Sequence, residues 1–171
     1  MSEDFRAVAV DIGASNGRAV YGVLSPDGKL DMKDVHRFPN GMSNVDGALR
    51  WDFDRLRGEV DKALDDCDAQ GLKPQSVGVN TWGVDYALID EEGAWLDQPY
   101  AYRDKRNPVA MERFFEEMMP KEDLYAVTGI QIMPFNTVYQ LAADVFAGGE
   151  RLAKARKILL MPDALTYALC G

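Results

Sequence analysis

The chain is poor in the residues on which several classes of protein depend. Its 171 residues include only two cysteines, Cys67 and Cys170, and a single histidine. The two cysteines match neither the spacing of a zinc site nor the density of a disulfide-stapled secreted scaffold. We therefore expect reduced thiols and no cysteine-bound metal.

Long apolar runs and clustered positive charges are also lacking. No apolar stretch approaches the ~20 residues that cross a membrane. The amino-terminal MSEDFR lacks the apolar core of a signal peptide, so we expect a cytoplasmic protein without a membrane partner. Lys and Arg number 19 against 28 Asp and Glu, a formal net charge of -9. Because nucleic-acid phosphates are held by clustered Lys and Arg, the sequence predicts no nucleic-acid partner.

Apolar residues make up 47% of the chain, enough for a folded core. Short apolar runs predict strands at 6–11, 18–24 and near 30–38, joined by tight turns as an antiparallel meander. A helix is expected after WDFDRL, with Asp52 or Asp54 as its N-cap. Its apolar positions fall on one helical face, at Leu56, Val60, Ala63, Leu64 and Cys67.

The second half mixes strands and helices. SVGVNTWGVDYALID predicts a strand, a break at Trp82–Gly83 and a second strand that ends at the turn 90–93. Helices are expected at 109–118, 121–128, 137–147 and 163–169, with a strand at 157–161. This order predicts an α/β fold on a mixed sheet. Since the last residues stand where a helix would be capped, we expect the front part of a longer protein.

The stretch VAVDIGASNGR, residues 8 to 18, predicts a phosphate-binding turn. No Gly-Lys-Ser/Thr follows the glycines, which excludes a Walker loop, and β-formers follow where a dinucleotide fingerprint needs a helix. A turn between antiparallel strands can bind an anion through its backbone amides. We expect Gly13 and Gly17 to supply positive φ angles, Ser15 a hydroxyl donor and Arg18 a cation.

Asp11 ends the apolar run before this turn. An unpaired carboxylate is costly in apolar surroundings, and a bound Mg²⁺ would explain its presence. The alternative is an ordinary hairpin with an Asp-capped turn and a surface Arg18.

Six segments, in this order along the chain, carry a resemblance to a known family: VAVDIGASNGR, HRFPNG (36–41), TWGVDYALID (81–90), YRDKR (102–106), TGIQIMPFNTVYQL (128–141) and LLMPDALTYALCG (159–171). Together they resemble the rhamnulokinase branch of the FGGY carbohydrate kinases, in the actin-like, ribonuclease-H-fold superfamily. Asn80 departs from the family pattern, which has an acidic or small residue before TWGVD. The resemblance implies a ribonuclease-H-like lobe, with a mixed sheet flanked by helices, from an ATP-dependent kinase that phosphorylates the 1-hydroxyl of L-rhamnulose.

The resemblance also implies roles for individual residues. Asp11 would lie near Mg²⁺, and the ATP phosphates would be faced by Ala14, Ser15, Asn16, Gly17 and Arg18. Gly83, with Trp82 beside it, matches the family's sugar-contacting position, and Tyr102 and Asp104 match a segment that lines the sugar cleft.

Phosphoryl transfer to a sugar hydroxyl needs an aspartate base, which the family places beyond the last of the six segments. We therefore expect the base and the adenine-binding lobe to lie beyond Gly171. On this interpretation the 171 residues form an incomplete amino-terminal lobe that is inactive alone and prone to self-association. Two other interpretations remain. One is a nucleotide-dependent binding or assembly module of the actin kind, which shares the phosphate turn; the other is a ribonuclease-H-like nuclease, which would use Asp11 with other acids to bind two metals.

Overall fold

The computed structural model describes residues 3–171, which divide into two compact units. The first unit takes in the chain as far as Met42, together with Asp52–Gly83 and Met161–Gly171. The second unit consists of Ser43–Trp51 and Val84–Leu160.

A four-stranded sheet forms the frame of the first unit. Its strands are β1 (Phe5–Ile12), β2 (Asn16–Leu24), β3 (Leu30–Pro39) and β6 (Ser76–Thr81), in the spatial order β3-β2-β1-β6. The pairs β1–β2 and β2–β3 are antiparallel, whereas β1 and β6 run parallel. The predicted meander and the mixed sheet are both confirmed.

Helices α1 (Phe53–Ala69) and α6 (Met161–Cys170) complete the first unit. Asp52 is the N-cap of α1 and accepts from the Arg55 amide, which decides between the two predicted caps. The helix buries one face, as its apolar spacing predicts, and Leu64 is only partly buried. Cys67 lies in this core at 1% exposure, and burial raises the pKa of its thiol.

His36 of β3 links the sheet to α1. Its Nε2 lies 2.7 Å from Glu59 Oε2, and its Nδ1 lies 3.2 Å from Asp66 Oδ2. Both carboxylates belong to α1, so one buried imidazole bridges two turns of the helix.

The second unit contains two small sheets and four helices among the described residues. The strands β4 (Ser43–Val45) and β5 (Ala48–Arg50) pair with each other, as do β7 (Tyr86–Ile89) and β8 (Lys157–Leu160). The helices are α2 (Arg106–Glu117), α3 (Lys121–Thr128), α4 (Thr137–Phe146) and α5 (Glu150–Ala153). A cluster of apolar side chains joins α2 to α4 through Phe114, Tyr139 and Ala142.

Two predicted helix starts are wrong, and proline explains both. The sequence placed the start of α2 after Pro108 and that of α6 at Asp163, whereas the helices begin at Arg106 and Met161. Proline lacks an amide hydrogen but is tolerated in the first turn of a helix, where that hydrogen has no partner. The short elements β4, β5 and α5 were not predicted, because three or four residues carry too little periodicity.

A buried ionic cluster lies in the second unit around Asp144, which is 3% exposed. Its carboxylate accepts from the Tyr86 hydroxyl, Arg106 Nη1 and Arg151 Nη1, each at 2.6 Å. Arg151 also donates to both carboxylate oxygens of Asp97, at 2.8 Å each. A cavity of about 910 Å³ opens beside these side chains. No helix within residues 3–171 is long and apolar enough to cross a membrane.

Candidate functional site

The predicted phosphate turn joins β1 to β2, and the register of the two strands brings its charged residues together. Asp11 lies directly opposite Arg18, and Ile12 lies opposite Gly17. Arg18 Nη2 is 3.6 Å from Asp11 Oδ2, and about half of each side chain is exposed (49% and 50%). A carboxylate and a guanidinium thus lie beside each other at the turn end of this strand pair.

The environment of Asp11 differs from the expectation. The sequence suggested a desolvated carboxylate in need of a metal, but the side chain is half exposed and already has two partners. Besides the Arg18 pair, Asn80 Nδ2 donates to Asp11 Oδ1 at 3.2 Å. Asn80 lies on β6, opposite Asp11 in the parallel register, so the residue that departs from the family pattern contacts this carboxylate. Burial therefore gives no support for a metal here.

Asn40, from the HRFPNG segment, fixes the backbone of the turn. Its amide donates to the Ser15 carbonyl at 2.9 Å, and its Nδ2 donates to the Gly13 carbonyl at 2.8 Å. Arg55 Nη2 in turn donates to Asn40 Oδ1 at 2.8 Å. Sequence reasoning quoted HRFPNG but gave Asn40 and Arg55 no role, since nothing in the local pattern shows that 40 returns to 13.

The turn keeps amide donors available at its tip. The Gly13 amide donates to the Asn16 carbonyl at 2.8 Å, which closes the turn. The amides of Ala14 and Ser15 donate to no acceptor in the described part of the chain. Asn16 Nδ2 lies 3.4 Å from the Ser15 hydroxyl oxygen, and both side chains are exposed. These donors stand where an anion can reach them.

The prediction of positive φ angles at Gly13 and Gly17 is wrong. Neither is among the glycines with positive φ within residues 3–171. Gly17 belongs to β2 and is extended; a Cβ atom there would lie 2.2 Å from the Phe38 ring. A Cβ on Gly13 would lie 3.3 Å from the Asn16 carbonyl oxygen. Both glycines make room for close neighbours, and neither adopts a positive φ angle.

Trp82 and Gly83 follow β6 directly, at the same end of the sheet as the phosphate turn. This placement results from the parallel pairing of β6 with β1, in which Thr81 lies opposite Ile12. Gly83 is exposed, and a Cβ atom built on it would meet no atom within 4 Å. The structure thus brings Gly83 and the turn to one edge of the first unit.

Tyr102 and Asp104 lie in the second unit, and their environments differ. The Tyr102 ring is partly buried and packs edge-on against Phe135, with ring centroids 6.1 Å apart. Asp104 is only 3% exposed. Its Oδ2 accepts from the Leu49 amide at 2.6 Å and its Oδ1 from the Arg106 amide at 2.9 Å. Its carboxylate therefore fixes the backbone around it.

The nuclease interpretation requires Asp11 and further acidic side chains around two metals. The described residues contain no group of three or more His, Cys, Asp or Glu side chains that could hold a metal ion.

Comparison with curated proteins shows strong similarity to one set of enzymes. The chain is 45% identical to the rhamnulokinase of Lactiplantibacillus plantarum over 164 residues, which cover 96% of this chain and 33% of that protein. It is 42% identical to the rhamnulokinase of Bacillus subtilis over 163 residues, 95% of this chain and 33% of that protein. The chain spans about one third of the length of these relatives.

Solved structures share the fold at low identity. A gluconate kinase from Lactobacillus acidophilus superposes with a TM-score of 0.75 at 14% identity, over 96% of this chain and 33% of that one. A xylulose kinase from the same organism gives 0.75 and 14%, over 95% and 33%. The predicted fold class, a mixed sheet flanked by helices, is confirmed. The family model for the amino-terminal domain of FGGY carbohydrate kinases matches residues 6–171. The chain therefore belongs to the FGGY family of carbohydrate kinases.

Proposed function

We propose that this chain is the amino-terminal part of an ATP-dependent kinase that transfers the γ-phosphate to the 1-hydroxyl of L-rhamnulose. The observation that carries the proposal is the turn between β1 and β2. The amides of Ala14 and Ser15 at its tip donate to no acceptor among the described residues, and Asp11 and Arg18 lie beside it. It lies at the same sheet edge as the open position Gly83. The choice of L-rhamnulose as the sugar is based on the name of the curated relatives, rhamnulokinase.

The turn is proposed to bind the nucleotide phosphates. The amides of Ala14 and Ser15 and the side chains of Ser15 and Asn16 donate to phosphate oxygens, and Gly17, the residue after the turn, leaves room for the Phe38 ring. Arg18 supplies the positive charge that a phosphate chain needs. Its present partner is Asp11, at 3.6 Å and half exposed, a pair weak enough to exchange partners when nucleotide binds.

Asp11 is proposed to hold the Mg²⁺ that accompanies the nucleotide. Kinase Mg²⁺ ions are bound by one or two carboxylates together with phosphate oxygens, so a single exposed carboxylate at this turn fits that chemistry. When bound, the ion neutralises charge that develops on the transferred phosphoryl group. Asn80 holds the Asp11 carboxylate in position by donating to Oδ1.

For the sugar, the resemblance assigns four residues, and the structure supports different tasks for them. Gly83 leaves open space in which a ketose can approach the backbone, and Trp82 precedes it. Tyr102 offers a partly exposed ring. The Asp104 carboxylate is buried and accepts hydrogen bonds from two backbone amides. In our proposal it therefore positions the segment that carries Tyr102 and does not contact the sugar.

We place the aspartate base and the adenine site in the part of the kinase that these 171 residues do not match. Positioning supplies most of the acceleration in phosphoryl transfer, so the turn and the sugar face do not suffice without the base. Alone, the chain is expected to bind nucleotide weakly, and to self-associate through exposed apolar side chains such as Val109 and Val127.

The test is a joined protein, in which this chain precedes the part of the Lactiplantibacillus plantarum rhamnulokinase that it does not match. ADP release is measured with L-rhamnulose, xylulose, gluconate and glycerol, and the product is identified by ³¹P and ¹H NMR. The proposal predicts a preference for L-rhamnulose with phosphate on carbon 1. A folded joined protein that prefers another of these substrates would overturn the sugar assignment, and one that transfers phosphate to none would overturn the kinase assignment.

A further inference from the structure

We infer that Asp85 is a positioning residue for the sugar face of the second unit, by which we mean Tyr102 and the segment that carries it. Its buried carboxylate joins three separate stretches of chain: the end of β5, the segment that carries Tyr102, and the start of α4. The inference rests on the proposed function for its kinetic consequence, whereas the positioning itself can be measured without any substrate.

The Asp85 side chain is completely buried and accepts from all three stretches. Its exposure is 0%. Oδ2 accepts from Trp51 Nε1 at 2.6 Å and from the Tyr102 amide at 3.0 Å. Oδ1 accepts from Gln140 Nε2 at 2.8 Å. None of these three donors carries a formal charge.

Gln140 extends this arrangement to the residues before α4. Its Nε2 also lies 3.0 Å from the Phe135 carbonyl and 3.2 Å from the Val84 carbonyl. The Val84 carbonyl accepts a further bond, from the Thr137 hydroxyl at 2.8 Å. Val84–Asp85 is thus bonded to the start of α4 at several points.

The two ends of the arrangement meet in an aromatic contact. Tyr102, whose amide donates to Asp85, packs edge-on against Phe135, whose carbonyl accepts from Gln140. The carboxylate therefore sets the relative position of two rings of the second unit, one of which the proposed function assigns to the sugar.

Replacing this carboxylate with the amide of asparagine breaks several hydrogen bonds. A carboxylate only accepts, and both of its oxygens are used here, whereas an amide has one oxygen and one donor group. If the amide oxygen serves Trp51 and Tyr102, its nitrogen faces Gln140 Nε2, also a donor. Gln140 must then turn its oxygen inward and lose its bonds to Val84 and Phe135. A substitution of equal size therefore displaces segments several residues away.

The first part of the test uses the 171-residue chain and its Asp85→Asn variant. Hydrogen exchange by NMR is measured at the Trp51 indole and at the Tyr102 amide. We expect exchange at both sites to accelerate by about ten-fold or more, since hydrogen bonds to a buried charged acceptor are lost. Two controls are matched: Asp90→Asn removes a charge from a carboxylate that accepts only locally, from the Ala94 amide, and Phe114→Leu weakens the apolar cluster between α2 and α4.

The second part uses the joined protein and L-rhamnulose. We expect Asp85→Asn to raise the sugar KM by about ten-fold and to change the ATP KM by less than about two-fold, because only the sugar face is displaced. Phe114→Leu should lower Tm without changing the sugar KM more than the ATP KM. Thr137→Val, which removes a single bond to Val84, should give a smaller rise in the sugar KM and serves if Asp85→Asn does not fold.

The outcomes separate this inference from the proposed function. Unchanged exchange at Trp51 and Tyr102 in a folded Asp85→Asn variant would overturn the inference whatever the enzyme does. Faster exchange with equal changes in both KM values, as in Phe114→Leu, would also overturn it and leave Asp85 as a stabilising residue only. If the unmodified joined protein ignores L-rhamnulose but accepts another sugar, the proposed substrate fails, and the same KM comparison is made with the accepted sugar.

Discussion

The Phe38 ring covers Gly17 so closely that a Cβ atom on Gly17 would lie 2.2 Å from the ring. The two residues face each other in the register of β2 and β3, and Gly17 stands opposite Ile12 across β1. The aromatic ring of HRFPNG thus packs on the strand that leaves the phosphate turn. Gly17 and Phe38, which are 21 positions apart in the sequence, thus form one structural feature.

The first prediction concerns this contact. Gly17→Ala should lower the free energy of unfolding by about 3 kcal/mol, because the added methyl group must displace a packed ring. Chemical denaturation of the 171-residue chain measures the change. Gly83→Ala is the control: nothing lies within 4 Å of its Cβ position, so its effect should stay within about 0.5 kcal/mol. In a Phe38→Leu background, Gly17→Ala should cost much less; equal costs in both backgrounds would contradict the account.

The second prediction concerns Asp11. In the joined protein, Asp11→Asn should lower kcat by about 100-fold or more if this carboxylate holds the nucleotide's Mg²⁺. The fold should survive with a loss below about 1 kcal/mol, since its pair with Arg18 is exposed. Asp4→Asn breaks a comparable surface pair, with Arg6 at 3.1 Å, and should leave kcat unchanged. Steady-state kinetics across a Mg²⁺ titration decide the matter, and a kcat equal to that of the unmodified enzyme would exclude the role.

The third prediction concerns the open space at Gly83. In the joined protein, Gly83→Arg should raise the L-rhamnulose KM by about 100-fold and leave the ATP KM nearly constant, because the long side chain fills only the sugar position. Gly58→Arg adds the same side chain at another exposed position of the first unit and should alter neither constant. Proportional changes in both constants for Gly83→Arg would show that it acts through the fold.

The fourth prediction concerns the ionic cluster of the second unit. Arg151→Met should lower the free energy of unfolding by about 3–5 kcal/mol, because Asp144 and Asp97 lose a shared cation in a buried setting. Exposed Arg57, which pairs with Asp61 at 3.5 Å, gives the matched control, and Arg57→Met should cost below about 1 kcal/mol. Urea denaturation of both variants tests this, and similar losses in the two would refute it.

The fifth prediction concerns the pH dependence of the same cluster. Burial alone would raise the pKa of Asp97, but hydrogen bonds from Arg151 and the charges of Arg151 and Arg50 lower it below its usual value. A lowered pKa in the folded state stabilises the fold above the unfolded pKa of about 4, and that contribution is lost as the pH falls through the folded pKa. The stability difference between the unmodified chain and Asp97→Asn should therefore shrink as the pH falls below about 4. A constant difference in denaturation experiments from pH 7 to pH 2.5 would contradict this.

The sequence predicted the elements that have strong local patterns. The meander of β1 to β3 and the helix α3 follow from alternation, turn residues and helical spacing. The first turns of α2 and α6, which contain Pro108 and Pro162, were missed because the predicted helices began one residue after each proline. The division of the chain into two units was not predicted, since each unit is assembled from non-consecutive segments.

At the candidate site, the sequence located the turn but not its physical basis. Gly13 and Gly17 were predicted from motif type, and their actual function, making room for Asn16 and Phe38, depends on contacts between strands. The supports of the turn, Asn40 and Arg55, come from distant segments that no local pattern connects to residue 13. Asp85 lay within a quoted motif, yet its hydrogen bonds with Trp51, Tyr102 and Gln140 are revealed only by the folded chain.

The central claim is that this chain supplies the phosphate turn and sugar face of a kinase whose base lies elsewhere. The most direct measurement is one coupled assay with ATP, Mg²⁺ and L-rhamnulose, run on the purified 171-residue chain and on the joined protein. The account predicts no measurable turnover by the chain alone and L-rhamnulose phosphorylation by the joined protein, with a kcat that Asp11→Asn lowers by about 100-fold or more. Robust turnover by the chain alone would contradict the account, because a base would then have to lie within these residues.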